Sequence, residues 1–267
     1  MQDSFIDIGA NLTDQSFDQD RDTVIKDSFK NGIEQIIVTS SSVNESLKSI
    51  ELARSYKGKI WATAGIHPHN ASNASEKFKE DLMAISNHDE VVAIGECGLD
   101  YFRNFSSKEE QRKVFKGHLE LAHKVDIPLF LHQRDAHDDF LGMIKDYGPK
   151  ELQGVAHCFT GSKEQMESYI DLGLYIGVTG WLCDSRRNSE LLGAINYIPK
   201  DRLLIETDSP YLMPKSLSKS LNTRRNEPQY LGYIAKELAS IMQISLSELS
   251  SITRTNTKTL FAKLRAL

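Results

Sequence analysis

No apolar run in the chain approaches the roughly 20 residues that a membrane-spanning helix needs. The opening MQDSFIDIGANL also lacks a basic segment followed by an apolar one, so a cytoplasmic protein with no membrane partner is expected. Cysteine is scarce: Cys97, Cys158 and Cys183 cannot all pair with one another and form no CxxC zinc spacing. Reduced thiols serving as small packing residues are the expectation. Positive charge is in deficit, with 32 Lys and Arg against 37 Asp and Glu and a formal net charge of -5. That balance argues against a protein that coats nucleic acid through a general basic surface, while leaving room for an enzyme with a local basic patch and a metal ion to handle phosphate. No stretch rich in Pro, Gly or Ser divides the 267 residues, and one domain over 1–267 is expected.

What is present is an alternation. Short β-rich runs occur at 5–12, 33–40, 59–67, 91–96, 127–132, 154–159, 174–180 and 202–208, several of them continuously apolar, as strands covered on both faces must be. Between them lie amphipathic stretches such as 106–126, where Val114, Leu121 and Val125 keep helical spacing and Ser107 with Glu110 fits a capping box. Further helical patterns cover 43–56, 75–87, 136–148 and 162–173, two of them closing on Gly; the tail from Gln229 to Leu267 reads as helical throughout, with an appended final helix. Eight β-α units of this length predict an α/β fold, a (β/α)8 TIM barrel, whose active site lies at the C-terminal ends of the strands. A doubly wound open sheet is the alternative, but no GxGxxG follows the first run.

The ends of those runs carry Asp7, Gly9, Asn11, His67, His69, Glu96, His132, Arg134, His157, Glu206 and Asp208. A carboxylate at the end of a buried strand, as in VVAIGECGLD, is costly unless a positive group, a donor or a metal stands beside it. Imidazoles and carboxylates converging from several strands form a ligand set for a divalent cation, and metal-assisted hydrolysis is the chemistry such a set supports. Asp208 is placed to take a proton from water. His88, His118, His123 and His137 fall in or beside helices and are expected to be surface or packing residues.

GIHPH (65–69), GECGLD (95–100), HQRDA (132–136), HCFTG (157–161), ETDSPYL (206–212) and RRNEP (224–228) resemble, in order and spacing, the motifs of the TatD family of metal-dependent deoxyribonucleases. The resemblance spans essentially the whole chain. It implies an amidohydrolase-like barrel acting as a 3'-5' exonuclease on single-stranded DNA and RNA, with a place in DNA repair or nucleic-acid degradation. By that resemblance Glu96, His132 and His157 are metal ligands, Asp208 is a ligand or general base, and His67 is a catalytic phosphate contact or proton donor to the leaving oxygen. Many members carry an HxH pair on the first strand, where this chain has Gly9 and Asn11. Losing two imidazoles shifts the set toward oxygen ligands, which favours Mg2+, with Mn2+ as an alternative and Zn2+ disfavoured.

Substrate contacts are expected from loop arginines, Arg134 and Arg225 foremost among Arg103, Arg134, Arg186, Arg187, Arg224 and Arg225, since guanidinium groups suit phosphate. Tyr101 or Phe102 is expected to stack on an exposed base. The protein is expected to act as a monomer. Two rivals stand beside the nuclease reading: D-aminoacyl-tRNA deacylation or another ester or amide hydrolysis, which the same ligand types serve, and a degenerate barrel that binds without turnover.

Overall fold

The computed structural model describes residues 3–148 and 153–265. Eight parallel strands run in the order β1 to β8: Phe5–Ala10, Ile33–Val38, Ile60–Ala64, Val91–Asp100, Leu129–Arg134, Gly154–Ala156, Tyr175–Val178 and Leu203–Ile205. Sequential parallel order with a helix after each strand curls the sheet toward a barrel, and a bridge between Ala10 and Ser209 brings its two edges together. The Asp7 carboxylate fastens that seam, accepting from the Gly9 and Thr207 backbone N–H groups (3.2 and 2.9 Å) and from the Thr207 hydroxyl (2.6 Å).

Strand existence and order match the sequence pattern, but the ends shift. The runs read to 12, 159 and 208 stop at Ala10, Ala156 and Ile205. Beyond those points backbone and side-chain acceptors alternate: the His157, Phe159 and Asp208 N–H groups still donate to the Leu131, Gly177 and Gly9 carbonyls, while the Cys158 N–H donates to Glu206 and the Thr207 N–H to Asp7. In contrast β4 runs four residues past its expected end, and Cys97 to Asp100 pair with Leu131 to Arg134.

The helices are α1 (Arg21–Lys30), α2 (Val43–Ser55), α3 (Phe78–Ser86), α4 (Lys108–Ala122), α5 (His137–Asp146), α6 (Lys163–Asp171), α7 (Ser189–Ile195), α8 (Lys215–Leu221), α9 (Leu231–Ile241) and α10 (Leu246–Leu260). Ser107 and Glu110 form the capping box at the start of α4, and Gly148 and Gly173, at φ +84° and +82°, follow α5 and α6. The pattern had not marked α1, α7 or α8; α1 buries only Val24, Ile25 and Ser28, too narrow a stripe to stand out. Nor is the tail one continuous helical stretch. It breaks between α9 and α10, where Gln243 takes φ +54°, and residues 266 and 267 lie outside the described residues.

Two apolar clusters follow from the barrel. A larger one lies between the strands and the helices around them. The smaller fills the barrel interior with Ile6, Ile8, Ile37, Trp61, Val92, Phe130, Val155 and Leu204, and Leu260, Phe261 and Leu264 from the tail join it. Lys263 donates to the Val91 carbonyl at 2.7 Å, which fixes this tail across the N-terminal ends of the strands. The opposite end carries the polar side chains.

Candidate active site

Glu96 reaches the mouth because β4 is irregular there. Gly95 pairs with Phe130 and Cys97 with Leu131, so Glu96 is the extra residue of a bulge, a device that re-aims one side chain out of the ladder. Gly95 has φ +145°, and a Cβ on it would run into the Phe130 carbonyl, so only glycine allows β4 and β5 to approach there.

Three imidazoles close on the Glu96 carboxylate. His157, one residue past β6, places Nε2 2.8 Å from Glu96 Oε1; His132, within β5, places Nδ1 at 2.9 Å; His67, past β3, places Nε2 at 3.3 Å. The His132 and His157 nitrogens are themselves 3.3 Å apart. His67, Glu96 and His132 have ligand atoms close enough to share one ion, and His157 faces the same Glu96 oxygen. Behind this shell stand further carboxylates. Asp100 Oδ2 lies 2.8 Å from His69 Nε2 and 3.4 Å from His132 Nε2, and Glu206 Oε2 lies 3.4 Å from His157 Nδ1.

The electrostatics are those of a site built for a cation. Burial alone would raise Glu96, but the charge of His157 foremost and bonds from His132 and His157 hold it well below the usual carboxylate range. Burial works against protonating His157, and the negative charges of Glu96 and Glu206 overcome it, raising that imidazole well above its ordinary value. His132 is likewise raised, against burial, by bonds to Asp100 and Glu96. The carboxylates thus demand positive charge between them, which protons supply in the ion-free chain and a divalent ion would supply better. His67 differs: burial outweighs Glu96 and lowers it to about 4, so it is neutral at pH 7 and a poor source of an imidazolium proton.

Asp208 lines the same mouth cavity, of about 790 Å³. Burial pushes its carboxyl up to about 7, with His157 and an Asn11 hydrogen bond opposing and Glu96 and Glu206 assisting. Asn11 does not present its carbonyl to the site. Its Oδ1 accepts from the Thr39 hydroxyl at 2.7 Å, and its amide donates to Asp208 Oδ1 at 3.0 Å and to the Ser209 carbonyl at 3.1 Å.

The residues expected to touch substrate divide. Arg134 lines the cavity and lies 3.8 Å from the centre of the half-exposed Phe102 ring. Arg187 lies 3.7 Å from Trp181, another lining residue, while its Nε pairs with Asp184 at 2.9 Å. A neighbouring groove of about 600 Å³ shares Gln133, Arg134, His157 and Trp181 with the cavity, so the mouth extends sideways past both stacks. Tyr101 is turned away instead: its hydroxyl donates to Asp139 at 2.7 Å and Lys108 lies over its ring. Arg225 is held in a clamp with Asp20 (2.9 and 2.7 Å) and Glu227 (2.9 Å), outside the residues lining the mouth. Arg186 is committed to Asp184 at 3.0 and 2.8 Å.

Two residues went unassigned in the sequence. Asp100 supports two histidines, which the short reading of β4 obscured. Phe105, two-thirds exposed, lines the mouth and sets its ring edge-on to His69 at 4.9 Å, with no pattern to mark it. Of the remaining histidines, His118 is buried and accepts from the Ile66 N–H, and His137 contacts the Tyr169 hydroxyl.

A parallel barrel with imidazoles and carboxylates converging at its C-terminal mouth defines the class of metal-dependent barrel hydrolases. Comparison narrows the class: the family model described as TatD related DNase matches residues 6–262, and the chain belongs to that family. The 3'-5' ssDNA/RNA exonuclease TatD of Salmonella typhimurium is 44% identical over 255 residues, 96% of this chain and 98% of that protein. Its Escherichia coli K12 counterpart is 42% identical over the same shares. Among solved structures, a TatD family hydrolase from Entamoeba histolytica superposes with TM-score 0.88 at 34% identity, covering 98% of this chain and 99% of that one. The Escherichia coli TatD homologue YJJV does so with TM-score 0.89 at 28% identity, covering 97% and 98%.

Proposed function

We propose that the protein is a divalent-metal-dependent 3'-5' exonuclease acting on single-stranded DNA and RNA. The observation that carries the reading is the convergence of three imidazole nitrogens within 2.8 to 3.3 Å of one Glu96 oxygen at the barrel mouth. The exonuclease names of relatives at 42 to 44% identity over nearly their whole length support the same substrate class. Glu96, His132 and His157 would hold the ion, with His67 and Asp208 at its edge; bound there, it supplies Lewis-acid charge against the phosphate and acidifies water.

The chain's own groups do the rest. Asp208, with a carboxyl near 7, accepts a proton from the attacking water at neutral pH. Neutral His67 makes a hydrogen bond to a phosphate oxygen rather than delivering an imidazolium proton. Arg134 and Arg187 offset phosphate charge, and Phe102 and Trp181 beneath them offer flat faces to unpaired bases, a mode that tolerates any sequence. The absence of a first-strand imidazole pair favours Mg2+ or Mn2+ over Zn2+. No helix among the described residues is long and apolar enough to cross a membrane. Three free thiols suit a cytoplasmic protein, which we propose acts as a monomer in repair or turnover of nucleic acid.

The test is product release from 3'-labelled and 5'-labelled single-stranded oligonucleotides by metal-stripped protein, with Mg2+, Mn2+ or Zn2+ restored. Mononucleotides liberated first from the 3' end, only with added ion, are expected. Absence of cleavage, with release of a D-amino acid from charged tRNA under the same ions, would replace the nuclease reading.

A further inference from the structure

Glu206 is fully buried one residue past β8, yet its carboxylate reaches across the barrel interior to His157 and Cys158, just past β6. It can do so because the strands on either side carry glycine at the level where it passes. A Cβ on Gly177 of β7 would lie 2.6 Å from Glu206 Oε1 and 3.2 Å from the His157 Cα, and a Cβ on Gly9 of β1 would fall on Glu206 Oε2. The carboxylate therefore fills the place from which a first-strand side chain would otherwise enter the mouth.

Its two oxygens hold one residue at two points. Oε1 accepts the Cys158 N–H at 2.6 Å, fixing the backbone just after His157, where Cys158 takes φ +45°. Oε2 faces His157 Nδ1 at 3.4 Å, and both of these atoms are buried with no hydrogen-bond partner among the described residues. A proton on Nδ1 satisfies the pair. A proton on Nε2 alone would set the Nδ1 lone pair against the carboxylate, a buried repulsion with no compensation.

We propose that Glu206 is a positioning residue that fixes His157 in the Nδ1-protonated tautomer, turning the Nε2 lone pair toward Glu96 and the ion, and that Gly9 and Gly177 are the sequence condition for it. The inference rests on His157 being a ligand in the site proposed above. A carboxylate behind a ligating histidine holds both ring orientation and tautomer, and losing one weakens metal binding by about 10 to 100-fold.

Glu206→Gln tests it with opposite polarity at equal size. The carboxamide oxygen must still accept from Cys158, so the NH2 faces Nδ1 and favours a proton on Nε2, where the ligand lone pair is needed. Titrating metal-stripped protein with Mn2+ alone, we expect affinity to fall by about 10 to 100-fold. In the Mg2+-loaded protein the 15N resonances of His157 should change from the Nδ1-protonated pattern. Wild-type affinity and an unchanged tautomer in E206Q would overturn the inference. His157→Ala separates the two readings: if it weakens Mn2+ binding and E206Q does not, only the role of Glu206 falls, and if neither does, the ion site is misplaced and both fall. Should E206Q not fold, Gly9→Ala displaces the carboxylate while keeping its charge and carries the same expectation, with unchanged Mn2+ affinity and tautomer overturning it.

Discussion

Asn11 donates its side-chain amide to Asp208 across the barrel seam at 3.0 Å, joining the ends of the first and last strands. The bond holds one carboxylate oxygen and leaves the other for the mouth. Asn11→Ala should lower kcat by about 10-fold or more with little change in KM, since a hydrogen bond to a charged group is worth roughly 1.5 to 3 kcal/mol. The Asn11 bond lowers the Asp208 carboxyl, so its loss should also move the acid limb of the pH-rate profile upward. Steady-state kinetics across pH would read both, and an unchanged profile would remove Asn11 from the mechanism.

Glu96→Ala should abolish activity while the barrel stays folded. The side chain enters from a bulge and contacts the polar cluster rather than the apolar interior. Circular dichroism should match the wild type, and Mn2+ binding should be lost together with turnover. Chelation of the wild type should have the same effect on activity and be reversed by added ion.

Phe102→Ala should raise KM for single-stranded oligonucleotides by about 5 to 160-fold, the range for losing one base stack of roughly 1 to 3 kcal/mol. The ring is 54% exposed, so thermal stability should hardly move. A KM equal to that of the wild type would mean that the Arg134 stack carries no substrate.

Arg225→Ala should act on stability instead. The clamp joins Asp20, the residue before α1, to the loop holding Glu227, and Arg225 also donates to the Ser16 carbonyl at 2.7 Å. Because Arg225 and Asp20 are partly solvent-exposed, although Glu227 is buried, the expected loss is about 1 kcal/mol in chemical denaturation, with KM unaltered.

Stability should fall as pH rises from about 4 toward 8, through Asp7. Burial pushes this carboxyl up to about 8, with bonds from Thr207 and Gly9 opposing. Below the unfolded value near 3.8 both states are protonated and the group is neutral to stability. Above it the unfolded chain loses the proton first, which favours unfolding until the folded carboxyl ionises near 8. Asp7→Asn keeps the acceptor for the Gly9 and Thr207 N–H groups, and urea titrations of this variant should show that slope flattened.

The barrel and the core of the site were legible because each rests on a local signal: apolar runs at regular intervals, and ligand-type side chains where the runs end. What escaped depends on distance between strands. Glu96 sits in a bulge within β4 rather than at its tip, because pairing resumes with β5 in a shifted register that no single strand encodes. Tyr101 and Arg225 carry suitable chemistry near suitable motifs, but Asp139 on α5 and Asp20 before α1 capture them, and such partners are distant in sequence. The neutrality of His67 follows from burial, which a list of residues does not convey.

The glycine at position 9 also constrains the mutational routes open to this barrel. A histidine there needs the volume that the Glu206 carboxylate occupies, with the Phe130 ring already 3.2 Å from where its Cβ would stand. Residues 9 and 206 are therefore epistatic: adding the imidazole is tolerated only after the carboxylate has been reseated, and reseating it first loosens His157. A variant library that changes position 9 alone should return only inactive or unstable histidine clones, whereas one that varies 9 and 206 together contains the route to an ion site of different composition.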